Sequence, residues 1–233
     1  SFSLKNELSK GIKELGFKRP TPIQNKVIPH LLSSKRDLIA SAQTGTGKTA
    51  AFGLPLLQLT DVVNKTIQSL ILCPTRELCL QIGKDLLSYS KYLKGINILS
   101  VYGGEKIDKQ IKNLKKKPQI IVGTPGRTKD LIKRKKLFLG NVKRFILDES
   151  DEMLSMGFKE DLEFILNSAS IDKQILLFSA TMTKSVTVVT RKYMDTPLKI
   201  AVASDNRGAD NINHIFYMVQ TKNRYEVVKE LQI

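Results

Sequence analysis

Asp37 to Leu54 reads DLIASAQTGTGKTAAFGL, and its three parts decide the fold. Asp37-Leu38-Ile39-Ala40 is a short apolar run past its first residue, as a buried strand requires. Ala50-Ala51-Phe52-Gly53-Leu54 suits a helix. Between them stand Ala42, Gln43, Thr44, Gly45, Thr46, Gly47, Lys48 and Thr49, a phosphate-binding loop in strand–loop–helix context, with Ala42 where that pattern has its first glycine. Gly45 and Gly47 permit backbone geometries in which successive N–H groups converge on an anion. The helix N-terminus adds its positive dipole end. Lys48 can reach β- and γ-phosphates, and the Thr49 hydroxyl can ligate Mg²⁺.

Working outward, similar apolar runs recur at Leu70 to Cys73, Ile96 to Tyr102, Ile120 to Val122, Phe145 to Leu147, Ile175 to Phe178 and Leu198 to Val202. Most are continuously apolar, which fits strands buried on both faces of a parallel sheet. Helical spacing lies between them: Leu78, Ile82, Leu86 and Leu87 share one face, and Leu154, Phe158, Leu162, Ile165 and Leu166 share another. Alternating strands and helices predict an α/β domain, an open, mostly parallel sheet with helices on both faces. Six of the runs are followed by polar clusters: SAQTGTGKT, PTREL, GGE, GTPGR, DESD and SAT. In an open parallel sheet ligands sit outside the carboxyl ends of the strands, so the clusters are expected along one edge.

The 233 residues carry 38 Lys+Arg against 22 Asp+Glu, a formal net charge of +16, and are 41% hydrophobic. That suits a folded domain, and polyanions are natural partners for its surface. No apolar run reaches the ~18 residues of a membrane span, and SFSLKNELSK has no secretory h-region. Cys73, Cys79, His30 and His214 are not spaced as a zinc site, and two cysteines make no disulfide framework, so a reducing, intracellular compartment is expected. The short runs Lys112 to Lys117 and Lys133 to Lys136 read as solvated helix ends or loops. Asp148-Glu149 closes the buried run Phe145-Ile146-Leu147. Asp148 can hold Mg²⁺, directly or through water, and Glu149 can act as general base toward an attacking water.

Together these motifs resemble the first RecA-like domain of the DEAD-box ATP-dependent RNA helicases of superfamily 2. GFKRPTPIQ at Gly16 to Gln24 is similar to the family's Q motif, AQTGTGKT to motif I, PTREL at Pro74 to Leu78 to motif Ia, and SAT at Ser179 to Thr181 to motif III. Gly103-Gly104 and TPGR at Thr124 to Arg127 match the elements between, and DESD at Asp148 to Asp151 stands where the family has DEAD. The resemblance implies ATP and Mg²⁺ as cofactors. It implies that Phe17 stacks on adenine, that Gln24 pairs with the base edge, that Thr21 supports the phosphate loop, and that Lys48, Asp148 and Glu149 are catalytic. It implies an RNA path along Pro74, Thr75, Arg76, Gly103, Gly104, Thr124, Pro125, Gly126 and Arg127, contacting the backbone without reading bases. Asp151, Ser179 and Thr181 would couple the ATP site to a second domain. Three departures stand out: Ser150 replaces Ala, Phe2 is about three residues too close to Phe17 for the family's upstream aromatic, and Thr128-Lys129 replace apolar residues, to strengthen phosphate contact or to alter a helix face.

The stretch 203–213 is polar, holds Gly208 and reads as a linker, followed by a strand-like His214 to Val219 and a helix-like Tyr225 to Leu231. The resemblance implies a helicase domain over residues 1–202 and, over 214–233, the start of a second RecA-like domain that partners the first in cis. An RNA-stimulated ATPase coupled to local duplex separation follows, inactive in unwinding as this piece alone. The implied setting is monomeric and without membrane, cytoplasmic or, in a eukaryote, nuclear, with ribosomal or ribonucleoprotein particles as partners. Two other readings stand beside it: an ATP-dependent RNA clamp with little turnover, and a DNA translocase of the same superfamily. A GTPase reading is disfavoured, because no guanine-reading N/TKxD element follows a strand.

Overall fold

The structure, a computed structural model, describes residues 2–43, 45–202, 219, 220, 225, 227 and 229. Contacts divide the chain into two units, Ser1–Val202 and Ala203–Ile233. In the second unit Tyr225, Val227 and Lys229 are helical. The linker expected over 203–213 and most of the segment expected to begin a second domain lie outside the described residues, as does Thr44.

The first unit opens with α1 (Asn6–Glu14) and α2 (Pro22–Ser33), then alternates strand and helix. The strands are β1 (Leu38–Ser41), β2 (Ser69–Leu72), β3 (Ile98–Val101), β4 (Ile120–Gly123), β5 (Arg144–Leu147), β6 (Gln174–Ser179) and β7 (Leu198–Ala201). The helices between them are α3 (Lys48–Leu59), α4 (Arg76–Tyr89), α5 (Ile107–Leu114), α6 (Pro125–Lys133), α7 (Ser150–Ser155), α8 (Lys159–Asn167) and α9 (Lys184–Tyr193). All seven apolar runs became strands, paired parallel in the order β3-β4-β2-β5-β6-β1-β7.

Successive strand residues point to opposite faces, and both faces are buried. Ile71, Ile146, Leu176 and Phe178 join α2, α3 and α4 in one core. Leu70, Leu72, Phe145, Leu147, Ile175 and Leu177 join α6, α8 and Met153 in the other. Each fully buried Leu, Ile or Phe contributes roughly 1.5–3 kcal/mol, so the two cores fix the sheet on which the functional loops stand. The edge strands β3 and β7 are only partly covered.

Two expectations from helical spacing are corrected. The buried face of α4 is Cys79, Ile82, Gly83, Leu86 and Tyr89, whereas Leu87 is 55% exposed. Leu86 and Leu87 are 100° apart on a helix, and the nearer to α3 wins. The stretch from Leu154 to Leu166 is two helices, not one: α7 ends before Gly157, whose φ of 85° turns the chain into α8. Periodicity runs through this break because both helices bury apolar residues in the same core.

Candidate functional site

Because every strand is parallel, all six polar clusters leave the sheet at its carboxyl edge. Strand order then sorts them. GGE, GTPGR and PTREL follow the neighbours β3, β4 and β2, while DESD, SAT and the phosphate loop follow β5, β6 and β1. Motifs interleaved along the chain thus separate into two adjoining halves of one edge.

In the second half, Gly47 is the N-cap of α3 with φ 89°, a left-handed conformation that favours glycine. A Cβ there would lie 2.5 Å from Gln24 Nε2 and 3.2 Å from Thr21 Oγ1, so the loop needs glycine for close approach too. Gln24 joins the two motifs: its Oε1 accepts the Thr21 N–H (3.0 Å), helping to cap α2, and its Nε2 donates to Gly47 O (3.1 Å). One N–H and one lone pair remain on that amide, the pair of functions a base edge requires. The Thr21 hydroxyl is buried without a hydrogen-bond partner among the described residues. Phe17, 42% exposed, meets the Tyr89 ring edge-on at 6.0 Å. Phe2, for all its short spacing, lines one cavity with Phe17, Arg19 and Gln24.

Lys48 is buried, and its Nζ has no hydrogen-bond partner among the described residues. Its nearest counter-charge is Asp148 Oδ1, 3.9 Å away. An ammonium left this way retains its donors for an anion. Burial pushes the Asp148 carboxyl up to about 6, with the Lys48 charge pulling it back and Glu149 pushing it further. Asp148 Oδ1 accepts the Glu149 N–H (3.1 Å), and Glu149 holds φ 50°, strain for a non-glycine residue. Lys48, Thr49, Asp148 and Glu149 line one cavity with Gly45 and Gly47.

In the first half, Thr75 caps α4 by accepting the Leu78 N–H (3.2 Å). Arg76 is exposed; its guanidinium lies 5.0 Å from the Tyr102 ring centre. A Cβ on Gly104, at φ 83°, would stand 3.2 Å from that guanidinium, so arginine and glycine loop are packed together. Gly103 and Gly126 are exposed, Thr124 and Arg127 half-buried, and Pro74 and Pro125 buried. Arg127 donates to Gln110 Oε1 and to Glu105 O, both at 3.0 Å. It therefore braces the glycine loop.

Within the second half, DESD and SAT are tied to each other. Thr181 donates its N–H and hydroxyl to Asp151 Oδ2 (2.9 and 2.8 Å), and the Ser179 hydroxyl donates to Thr181 O (2.7 Å). Burial opposes the Asp151 charge, but the hydrogen bonds from Thr181 and Ser179 outweigh it and hold its pKa below the ordinary value. The Ser150 hydroxyl donates to Phe178 O (3.2 Å), a further link from DESD to β6.

Two residues escaped the sequence reading. Gln110, 1% exposed, donates to Tyr102 O (3.0 Å) and Glu105 Oε2 (3.1 Å) while accepting from Arg127. Its only signal is a polar letter near the Ile107–Ile111–Leu114 face of α5. Glu105 was visible only as the letter after Gly104. Of the alternatives for Thr128 and Lys129, the structure selects the helix face. Thr128 is fully buried and donates to Thr124 O, and Lys129 pairs with Asp161 of α8 at 2.6 Å. Cys73 and Cys79 are free and buried, and contact with Cys79 together with burial pushes the Cys73 thiol up.

A family model described as DEAD/DEAH box helicase matches residues 21–189. The chain is 46% identical over 230 residues to a DEAD-box ATP-dependent RNA helicase CshA of Bacillus cereus, covering 99% of this chain and 43% of that protein. It is 43% identical over 218 residues to the ATP-dependent RNA helicase DeaD of Escherichia coli, covering 94% of this chain and 34% of that one. The chain thus spans less than half the length of these curated relatives. Its fold is similar to the crystal structure of a DEAD box protein from the hyperthermophile Methanococcus jannaschii, with a TM-score of 0.84 and 43% identity over 98% of this chain and 61% of that one. Among the described residues no helix is long and apolar enough to cross a membrane.

Proposed function

The chain belongs to the DEAD/DEAH box helicase family, and from that premise we propose that it is the ATP- and RNA-binding RecA-like domain of an ATP-dependent RNA helicase. The observation that carries the reading is the buried, hydrogen-bond-free Lys48 ammonium beside Asp148, at the same sheet edge as the exposed Arg76 and the glycine loop. Backbone N–H groups of the Gly45–Gly47 loop and Lys48 would hold the phosphates. The orphaned hydroxyl of Thr21 fits a supporting role at that loop, and Gln24 has the donor and acceptor needed for adenine. The Thr49 hydroxyl and the Asp148 carboxylate would hold Mg²⁺; a hard cation suits oxygen donors, and when bound it supplies positive charge to the phosphate oxygens. Glu149 would accept the proton of the attacking water.

On the other half, Arg76 and the Gly103-Gly104 turn would hold RNA phosphates, a contact that carries no base information. Asp151 and Thr181 would report the state of the phosphates to a second RecA-like domain, whose cleft-facing arginines would complete the ATPase site. In the whole protein, closure around ATP and RNA would separate a short duplex. Residues 1–202 would form the first domain, with the linker and the second domain following.

Lys48→Ala removes the one side-chain cation among the described residues that lines the glycine-loop cavity. It is expected to abolish ATP binding by the chain in calorimetric titration while leaving its melting temperature within a few degrees. A variant that binds ATP like the parent sinks the nucleotide assignment.

A further inference from the structure

The sheet has a second edge. Loops 60–68, 90–97, 115–119, 134–143 and 168–173 enter β2, β3, β4, β5 and β6 at the end opposite to the six motifs. They form one platform. The buried amide of Gln119 accepts the Asn97 N–H (2.8 Å) and donates to Val62 O (3.3 Å) and Gly95 O (3.2 Å), joining three loops. Asn97 Nδ2 donates to Lys116 O (3.2 Å), and the Lys143 N–H donates to Gln68 O (2.9 Å).

These five loops carry eleven Lys and Arg residues and only two carboxylates, Asp61 and Asp172. Lys115, Lys116 and Lys117 are consecutive and exposed, as are Lys135 and Lys136, with Lys143 exposed beside them. Two of the eleven pair with helix carboxylates, Lys91 with Glu14 and Arg134 with Asp130, as Lys109, Lys129 and Lys192 pair with Glu105, Asp161 and Glu163 elsewhere. Among the described residues none of these six edge lysines makes an ion pair, so their charges stand together uncompensated.

Backbone geometry makes the cations costlier still. α6 ends in a Schellman motif, with the Lys135 N–H donating to Ile132 O and the Lys136 N–H to Leu131 O. Lys135 holds the left-handed position at φ 55°, where glycine is the relaxed choice, and Lys117 holds φ 53° after α5. Shape alone would put glycine at both. Between Lys136 and Lys143 the Phe138 ring is 71% exposed.

We propose that this edge is a second RNA-binding surface, which holds the sugar–phosphate backbone of a strand extending beyond the groove at the motif edge. Lysines from the β4 and β5 loops, two strands and so about 10 Å apart, neutralise phosphates, and Phe138 offers a stacking face for an unpaired base. Cations interleaved with an exposed ring favour nucleic acid over an acidic protein, which has no bases to stack. The proposal rests on the RNA-binding reading above, and the test separates the two.

The chain is titrated with labelled single-stranded RNA by fluorescence anisotropy between ~50 and ~200 mM salt. The variants are Lys116→Glu/Lys136→Glu/Lys143→Glu at this edge, Phe138→Ala, and Arg76→Ala in the groove. The triple variant is expected to lose roughly tenfold or more in affinity and to lower the log–log salt slope by about two, with ATP affinity unchanged. Phe138→Ala is expected to weaken binding with the slope retained. Parental affinity and slope in the triple variant overturn the proposal. Should that variant fold poorly, Lys135→Gly relaxes the turn while removing one cation, and is expected to lower the slope by about 0.7; an unchanged slope overturns it equally. Displacement of RNA by polyglutamate at matched charge, as effective as by unlabelled RNA, would make this a site for acidic proteins and overturn it. Complete loss of binding in Arg76→Ala overturns the second surface while leaving the groove, and a parent chain that binds no RNA overturns both.

Discussion

At Gln110 the side-chain amide spends both hydrogens and its oxygen on Tyr102, Glu105 and Arg127. It thereby locks the glycine loop after β3 to the arginine of α6 from a buried position. Gln110→Leu keeps the volume and leaves buried partners unpaired, at a cost of about 1–3 kcal/mol. The expected result is RNA affinity several-fold lower with ATP affinity unchanged, measured on the same preparation. A variant that melts earlier yet binds RNA like the parent would show that the loop keeps its shape without the amide. Ser150 is similar in kind: its hydroxyl, an addition to the family pattern, donates to Phe178 O and so tightens the DESD segment onto β6.

Between elements, the join that matters is the one from the loop after β6 to α7. Thr181 gives two hydrogen bonds to Asp151, and they depress its pKa despite burial. A carboxylate whose folded pKa is lowered contributes stability that is present above the ordinary value of 3.8 and is lost as pH falls through the depressed one. Thr181→Val removes the hydroxyl and keeps the N–H bond. At pH 7 it is expected to cost about 0.5–1 kcal/mol, the low end because the site is exposed. In thermal melts the deficit should shrink as the pH falls below the depressed value, where Asp151 is protonated in parent and variant alike. A deficit independent of pH would assign the loss to packing. The same segment adjoins Asp148 and Glu149, so on the proposed reading this join is where phosphate state would bias a second domain.

For the whole molecule, the decisive property is what faces the carboxyl edge. The proposed phosphate loop, Gln24, Asp148 and Glu149 are all within this chain, so on that reading the groups that would hold a ground-state nucleotide are present. On the proposed reading, arginines of a second domain would match the transition-state charge, and such an arginine is worth ~10³–10⁵ in rate in related phosphate-loop enzymes. This chain is therefore expected to bind ATP or ADP but to separate no strands in a displacement assay with a short RNA duplex. Robust ATP-dependent unwinding would contradict the two-domain closure mechanism.

Local chemistry was legible in the letters. Continuous apolar runs marked strands because both faces of a parallel sheet are buried, and AQTGTGKT marked the strand–loop–helix turn because its glycines and helix start act within eight residues. Burial direction was less legible: Leu86 and Leu87 differ only in which one meets α3, and Thr128 and Lys129 show their partners only once α6 lies against α8. The break at Gly157 was hidden because a glycine in a helical pattern has no fixed meaning until its φ is known. Only tertiary structure decided that β2 pairs with β4 and β5, which gathers GGE, GTPGR and PTREL on one half of the edge and DESD, SAT and the glycine-rich loop on the other. It alone also brought lysines from distant loops onto the opposite edge. Strand order depends on long-range packing of crossover helices, and side-chain periodicity, which reports only whether a residue is buried, carries no information about which strand lies beside it.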